Sequence, residues 1–155
     1  MTSTRRIAAD FAWAPLVPEL SVTDLRQSLR FWRDLCGFAV VFDRPEEGFA
    51  YLDLGVGAQI MLDQRGLTRD WETGPMEKRY GRGVNFQVRV SSLDPILASL
   101  AGANWPLFLA PEEKWYRTGG AETGVRQFLV QDPDGYLVRF STWIGERPIS
   151  KPDGL

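Results

Sequence analysis

A stretch with the two-residue hydrophobic period of a strand is followed along the chain by a stretch with the period of a helix. This succession of a strand and a helix occurs twice. Residues Val17–Val22 alternate between apolar and polar positions, which is typical of a half-buried strand. The next apolar residues recur at the spacing of one helix face: Leu25, Leu29, Trp32 and Leu35. Gly37 then predicts the left-handed cap that ends a helix. A strand followed by a helix is therefore the expected start of the fold.

Further strands are predicted in both halves from alternation and from turn residues. Those of the first half are Phe38–Phe42, Phe49–Leu54 and Gln59–Leu62, the last two joined by the turn Gly55–Gly57. The second half gives strand Val84–Val90, helix Leu93–Leu100, an irregular stretch over Trp105–Leu109, strand Arg126–Val130, the turn Asp132–Gly135 and strand Tyr136–Thr142. Both halves thus begin with a strand and a helix.

The two halves also share residue patterns, which indicates an internal duplication. Leu20–Leu25 (LSVTDL) and Val88–Leu93 (VRVSSL) are both strand endings followed by polar helix-capping residues and a leucine. The same offset along the chain relates Leu29 to Leu97. The predicted fold class is therefore α+β, with two tandem βαβββ modules that form curved mixed sheets and carry their helices on the outer face.

The predicted domain organisation places one domain at 16–143 and treats the ends as peripheral. Within this domain we predict a first module at 16–64, a linker at 65–82 and a second module at 83–143. An N-terminal arm at 1–15 and a C-terminal tail at 144–155 flank the domain. The arm is expected to be poorly ordered, except that Trp13 offers an aromatic side chain to dock it. The tail is rich in proline and glycine.

Composition narrows the class of protein. The chain has 155 residues, 44% hydrophobic and 25% charged, as expected for one globular domain. A net charge of −2 argues against a nucleic-acid partner, because such proteins usually carry a basic excess. No signal peptide core or membrane-spanning apolar run is found, so a cytoplasmic location without a membrane partner is expected. The single cysteine, Cys36, is expected to be a small buried side chain.

The sequence contains no histidine, which removes histidine-based catalysis and imidazole metal ligands. Zinc and non-haem iron rarely accept a site built almost entirely from carboxylates. We therefore expect that the protein binds no metal and no cofactor, and we predict no catalytic residue.

The strand faces that point away from the helices carry polar and aromatic side chains. Tyr51 and Asp53 share such a face in the first half, and Asn85, Gln87 and Arg139 share one in the second. One interpretation is the solvated outer face of an antiparallel sheet. The other is a concave pocket, since strongly twisted sheets curl. The alternation alone leaves both open.

At this point the chain resembles a known superfamily. The run Val17–Asp24 (VPELSVTD), followed by Ser28–Trp32 and Gly37-Phe38, resembles the opening of a vicinal oxygen chelate module. Phe128–Tyr136 (FLVQDPDGY) resembles the closing signature of that superfamily. The segments Arg44–Leu52 and Gly57–Leu62 are most similar to proteins of the bleomycin-resistance type.

The resemblance implies both a fold and a comparison of metal sites. The superfamily includes metal enzymes such as glyoxalase I and extradiol dioxygenases, and also bleomycin-resistance proteins that use no metal. The four metal-ligand positions of the enzymes fall by motif on Val17, Asp53, Asn85 and Arg139. Because Val17 cannot coordinate and Arg139 is a cation, the resemblance implies that no metal is bound.

The resemblance also favours a pocket over a solvated sheet face. In such folds the strand faces that carry polar and aromatic side chains line a cup between paired halves. It implies a homodimer that sequesters a cationic or aromatic antibiotic or similar small molecule. The predicted ligand-binding residues are Tyr51, Asp53, Asn85, Gln87, Arg139, Trp105, Trp115 and Tyr116. The aromatic members would stack on such a ligand, although Trp105 and Trp115 could equally fill the second half-domain.

Two alternatives to sequestration stay open. One is a lyase, isomerase or dioxygenase relative acting on a small oxygenated substrate, against which the absence of histidine argues. The other is a module without any small ligand, which is favoured if the predicted cup is filled by the side chains of the chain itself.

Overall fold

A computed structural model gives the fold of residues 6–149. The chain divides into two compact units. Unit 1 comprises the chain up to Tyr80 together with Asp132–Gly135, and unit 2 comprises Gly81–Gln131 and the chain from Tyr136 onward. None of the helices in the described part of the chain has the length and apolarity needed to cross a membrane.

Unit 1 contains one four-stranded sheet and a short helix. Its elements are β1 (Glu19–Val22), helix α1 (Leu25–Leu29), a π-helical turn (Arg30–Leu35), β2 (Ala39–Arg44), a 3₁₀ turn (Pro45–Glu47), β3 (Phe49–Asp53) and β4 (Gln59–Gln64). The strand order is β1-β4-β3-β2, with β1 parallel to β4 and the other pairs antiparallel. Asp24 caps α1 by accepting a hydrogen bond from the backbone of Gln27.

Unit 2 repeats this arrangement with longer strands. Its elements are β5 (Asn85–Arg89), α2 (Asp94–Gly102), β6 (Leu107–Thr118), β7 (Ala121–Gln131) and β8 (Leu137–Pro148). The strand order is β5-β8-β7-β6, again with one parallel pair, β5 and β8. Identical strand orders confirm the predicted α+β class with two βαβββ modules.

The predicted helix-facing positions form the cores of both units. In unit 1, Val22 and Leu62 are fully buried together with Trp32 of the helical segment. In unit 2, Val138 and Phe140 are fully buried, as the alternation of the last strand predicts. Cys36 is buried as expected, and burial raises the pKa of its thiol. The thiol is therefore a packing group and a poor nucleophile.

Two predictions about the second half are wrong. The stretch over Trp105–Leu109 is not irregular throughout, because β6 begins at Leu107 and runs for 12 residues. Two register shifts against β7 interrupt its alternation, and most of its side chains are exposed, so neither hydrophobic period is visible in the sequence. Likewise β8 continues to Pro148 and takes up the first residues of the predicted tail, because β7 pairs with it over that length.

The arm is docked by Trp13, as the sequence predicts, because the Trp13 ring meets Tyr51 of β3 edge-on. The backbone amide of Ala14 also donates a hydrogen bond to the side chain of Gln59 on β4. Residues 1–5 lie outside the described part of the chain, as do residues 150–155 of the predicted tail.

Candidate ligand-binding site

The helix-free face of the unit 1 sheet is a row of aromatic rings. Phe42 and Tyr51 stack with centroids 5.2 Å apart and an interplanar angle of 17°, and Phe49 lies 5.8 Å from Phe42 on the other side. Trp13 of the arm meets Tyr51 edge-on at 5.2 Å, and Phe11 meets Trp13 edge-on at 4.8 Å. Edge-on and offset contacts of this kind are the favoured aromatic geometries. The predicted stacking face is thus occupied by rings of the chain itself.

Gln59 ties the arm to this face. Its Oε1 accepts hydrogen bonds from the backbone amide of Ala14 at 2.8 Å and from the Tyr51 hydroxyl at 2.5 Å, while its Nε2 donates to the carbonyl of Ala12 at 2.8 Å. Gln59 and Tyr51 are both 5% exposed. Burial, followed by the nearby charge of Asp53, raises the pKa of the Tyr51 phenol, so it stays a neutral hydrogen-bond donor.

A cavity of about 470 Å³ opens beside this arm. Its walls are Ala8, Asp10, Phe11, Ala12, Asp53, Val56, Gly57 and Gln59. Asp53, at the end of β3, is therefore joined by Asp10 of the arm, and none of the described residues that line the cavity is basic. Among the described residues neither carboxylate has a hydrogen-bond or ion-pair partner in the other side chains of the unit. A cavity with two carboxylates and an aromatic wall is suited to a cationic group.

Unit 2 carries a polar network on its helix-free face. Gln127, only 3% exposed, donates through Nε2 to the Tyr116 hydroxyl at 2.7 Å and to Oε1 of Glu112 at 3.0 Å. Gln87 donates to the Ser141 hydroxyl at 3.4 Å. Tyr116 remains 39% exposed. Of the predicted site residues in this unit, Gln87 and Tyr116 thus each take part in a side-chain hydrogen bond.

Arg139 lies on the same face and makes no such bond. It is directly opposite Gln87 on β5 and Leu129 on β7. Its Nε is buried, and no residue in the described range 6–149 accepts a hydrogen bond from its guanidinium. A buried donor left unpaired costs about 1–3 kcal/mol. Asn85, the other predicted polar residue of β5, is exposed.

Two of the predicted stacking residues are used for packing. The indole nitrogen of Trp105 donates to the backbone carbonyl of Gln131 at 2.9 Å. Trp115 lies flat on Gly124, where an added Cβ would come within 2.7 Å of its ring, and the guanidinium of Arg147 covers the ring at 4.2 Å. These contacts agree with the interpretation that both tryptophans fill the second half-domain.

The residues do not fit a metal ion of the superfamily's enzymes. Val17 offers no ligand atom, and Arg139 brings a positive charge that is never lost in a protein. Within residues 6–149, no three His, Cys, Asp or Glu side chains lie close enough together to hold a metal ion.

The sequence patterns missed the contribution of the arm to the site. Asp10 and Phe11 lie outside the two modules and belong to no recognised motif. Gln59 was placed in a strand but not assigned a role, although a buried amide is a sign of specific hydrogen bonding. The run Asp10–Trp13 (DFAW) mixes an acid with two aromatic residues, and that composition was the available signal.

Comparison with known proteins identifies the fold. No protein-family model matches the chain. A glyoxalase/bleomycin resistance protein/dioxygenase from Alicyclobacillus acidocaldarius superimposes with a TM-score of 0.57 at 16% identity, covering 84% of this chain and 91% of that one. The chain therefore shares the fold of this glyoxalase/bleomycin resistance protein/dioxygenase structure. TioX from Micromonospora sp. ML1 shares the fold, with a TM-score of 0.64 at 23% identity over 86% of this chain and 100% of TioX.

One curated protein is similar to this chain in sequence. Glyoxalase 1 of Caenorhabditis briggsae is 28% identical over 146 residues, which is 94% of this chain. The match covers 48% of that relative, so the chain spans about half of its length.

Proposed function

We propose that this protein belongs to the vicinal oxygen chelate superfamily and binds a cationic, partly aromatic small molecule without transforming it, as a sequestering protein of the bleomycin-resistance type. The observation that carries the proposal is the cavity beside the arm, which Asp10 and Asp53 both line and which has no basic side chain among its described lining residues. A bound ammonium or guanidinium group would be attracted by both carboxylates.

The size of the cavity bears on what can enter it. About 470 Å³ lies within the usual range of small-molecule pockets, about 300–1,000 Å³. A large drug of the bleomycin kind would therefore insert only one cationic group into the cavity. The aromatic part of the drug would lie outside the cavity. Phe11 lines the cavity and Trp13, 52% exposed, lies next to Phe11, so both are placed to contact such a ligand.

The residues at the four metal-ligand positions favour binding without catalysis over the enzymatic alternative. A glyoxalase-like or dioxygenase-like activity would need a metal site, and the four positions that resemble such a site include a valine and an arginine. The covered aromatic row supports the ligand-free alternative for that part of the sheet, since Tyr51 is buried beneath the arm. The homodimer remains part of the proposal, and sedimentation at micromolar concentration would test it against a monomer of 17.5 kDa.

The test is a calorimetric titration of metal-free bleomycin into the wild-type protein and three variants. Asp53→Asn and Asp10→Asn each remove one carboxylate from the cavity with little change in volume. Asp43→Asn, an exposed carboxylate on β2, is the matched control. We expect saturable binding at one ligand per chain, weakened about tenfold by each cavity variant and little changed by the control.

Three outcomes would contradict the proposal. Absence of binding up to high micromolar concentration would remove the drug-binding role. Equal binding by wild type, Asp53→Asn and Asp10→Asn would place the ligand elsewhere. Stoichiometric Mn²⁺, Fe²⁺ or Ni²⁺ in the purified protein would favour the enzymatic alternative.

A further inference from the structure

A straight row of four side chains crosses the helix-free face of the unit 2 sheet. The strand registers place Gln87 opposite Arg139, Arg139 opposite Leu129, and Leu129 opposite Leu109. Residues directly opposite each other on neighbouring strands project from the same face of a sheet. The row therefore runs from an amide through a cation to two leucines, one from each strand in the order β5-β8-β7-β6.

The cation in this row lacks a counter-ion. Arg139 forms no ion pair within the described residues, and its buried Nε–H has no acceptor there. Glu112, on β6 of the same sheet, accepts a hydrogen bond from Gln127, which lies opposite it on β7. A guanidinium stays charged at every physiological pH, so Arg139 cannot become neutral to escape the cost.

The rest of the row is apolar. Leu129 and Leu109 are half-buried, and no charged side chain separates them from Arg139 along the row. Gln87, on the opposite side of the cation, is exposed and presents an amide that can donate a hydrogen bond. Donors at one end and an apolar strip at the other match a molecule with an anionic head and a hydrophobic body.

We propose that the row Gln87–Arg139–Leu129–Leu109 binds an amphipathic carboxylate, such as an aromatic or short aliphatic acid. The carboxylate accepts hydrogen bonds from Arg139 and Gln87, and its apolar body covers Leu129 and Leu109. Charge-assisted hydrogen bonds to a guanidinium are among the strongest in proteins, and a carboxylate matches its planar donors. This site lies in unit 2 and goes beyond the proposed cation binding at Asp10 and Asp53 in unit 1.

The experiment uses ¹⁵N-arginine-labelled protein and two probes of the same shape, benzoate and neutral benzamide. The Nε–H resonance of Arg139 is assigned by its absence from the spectrum of Arg139→Lys. We expect benzoate to shift this resonance saturably within about 10 mM, and benzamide to leave it unmoved. The shift reports on the bound head group directly and does not require a variant to bind.

Variants then test the row by ligand-observed NMR. Arg139→Gln should weaken benzoate binding at least tenfold, and Leu129→Ala should weaken it several-fold. Arg89→Gln removes an exposed arginine of β5 and should change the affinity less than twofold. Asp53→Asn should leave benzoate binding unchanged, so a failure here is distinguishable from a failure of the cation proposal.

Two results would overturn the proposal. One is an Arg139 resonance that stays fixed up to about 10 mM benzoate or that responds equally to benzamide. The other is an equal loss of affinity in Arg89→Gln and Arg139→Gln, because that would indicate general attraction to positive charge.

Discussion

The indole Nε1 of Trp32 donates a 3.2 Å hydrogen bond to Oδ2 of Asp132. The two side chains are 0% and 4% exposed. Asp132 begins the turn Asp132–Gly135, which resembles the closing signature of the superfamily and which belongs to unit 1. In the same turn the Asp134 carboxylate accepts hydrogen bonds from the backbone and hydroxyl of Thr23. The motif that carries the resemblance therefore has a structural role within unit 1.

Replacing Trp32 by phenylalanine should destabilise the protein. The change removes the donor to a buried carboxylate, and a hydrogen bond to a charged group contributes about 1.5–3 kcal/mol. Chemical denaturation should show a loss of at least that size. Trp71→Phe, at a position 69% exposed, is the matched control and should stay within about 0.5 kcal/mol of wild type. Equal stability of Trp32→Phe and wild type would contradict this role for the hydrogen bond.

Gly124→Ala should lower stability through a steric clash. An alanine Cβ at this position would lie 2.7 Å from the Trp115 ring, and the guanidinium of Arg147 lies 4.2 Å from the centroid of the same ring. Overpacking of this kind costs about 1–3 kcal/mol. Gly120→Ala, where an added Cβ meets nothing within 4 Å, is the control for the loss of glycine. A double variant with Trp115→Ala should recover part of the loss in a thermodynamic cycle, and strict additivity would argue against the clash.

Gln59→Ala should release the arm from the sheet of unit 1. The substitution removes the acceptor of the Ala14 amide and of the Tyr51 hydroxyl, together with the donor to Ala12. Hydrogen exchange at the Ala14 amide should become faster by about tenfold or more, and the Trp13 emission should shift to the red as its ring enters water. Gln27→Ala on the exposed side of α1 should leave both signals unchanged. Unaltered protection of Ala14 in Gln59→Ala would show that ring packing alone holds the arm.

Asp63→Asn should stabilise the protein at neutral pH. Burial and then the charge of Asp70 raise the pKa of the Asp63 carboxyl above its ordinary 3.8. The folded state therefore holds this proton more tightly than the unfolded state, so stability falls as the pH rises through the unfolded value towards the raised folded value. Asparagine removes that fall, because it does not titrate.

Denaturation at two pH values tests this sign. Asp63→Asn should exceed wild type in stability at pH 7, and the difference should shrink at about pH 3, where the carboxyl is protonated in both states. Asp43→Asn on β2 measures the general effect of removing one negative charge. A lower stability of Asp63→Asn than of wild type at pH 7 would contradict the raised pKa.

The local elements were predictable where burial imposed a single period. The helix stripe around Trp32 and the strand ending at Phe140 each have one buried face, so the spacing of apolar residues reports the geometry directly. Strand β6 was not predictable in this way, because its two faces are both largely exposed and Pro111 and two register shifts interrupt it. Backbone pairing with β7 forms that strand, and pairing leaves little trace in hydrophobicity.

For the candidate sites, the sequence predicted which residues share a face of a sheet, but not which of them line a cavity. Alternation put Tyr51 and Asp53 on one face of β3 and placed Arg139 with Gln87 on one face of unit 2, and the registers agree with both. The alternation could not show that Tyr51 is covered while Asp53 lines a cavity. Both outcomes depend on the N-terminal arm, which is far from these residues in sequence. Trp115 is a stacking candidate by residue type, and only the structure shows that its ring lies against Gly124.

The amino-acid sequence by itself determined the duplicated α+β fold, the helix-facing cores and the absence of histidine, since each follows from residue types and from short-range periodicity. The tertiary structure alone decided which polar groups meet. Folding places Asp10 and Asp53 in the wall of one cavity, joins Ala12 and Ala14 to Gln59 by hydrogen bonds, and leaves the Nε–H of Arg139 without an acceptor among the described residues. Hydrogen bonds and charges act over a few ångströms, and only the folded chain sets the distances between residues that are remote in sequence.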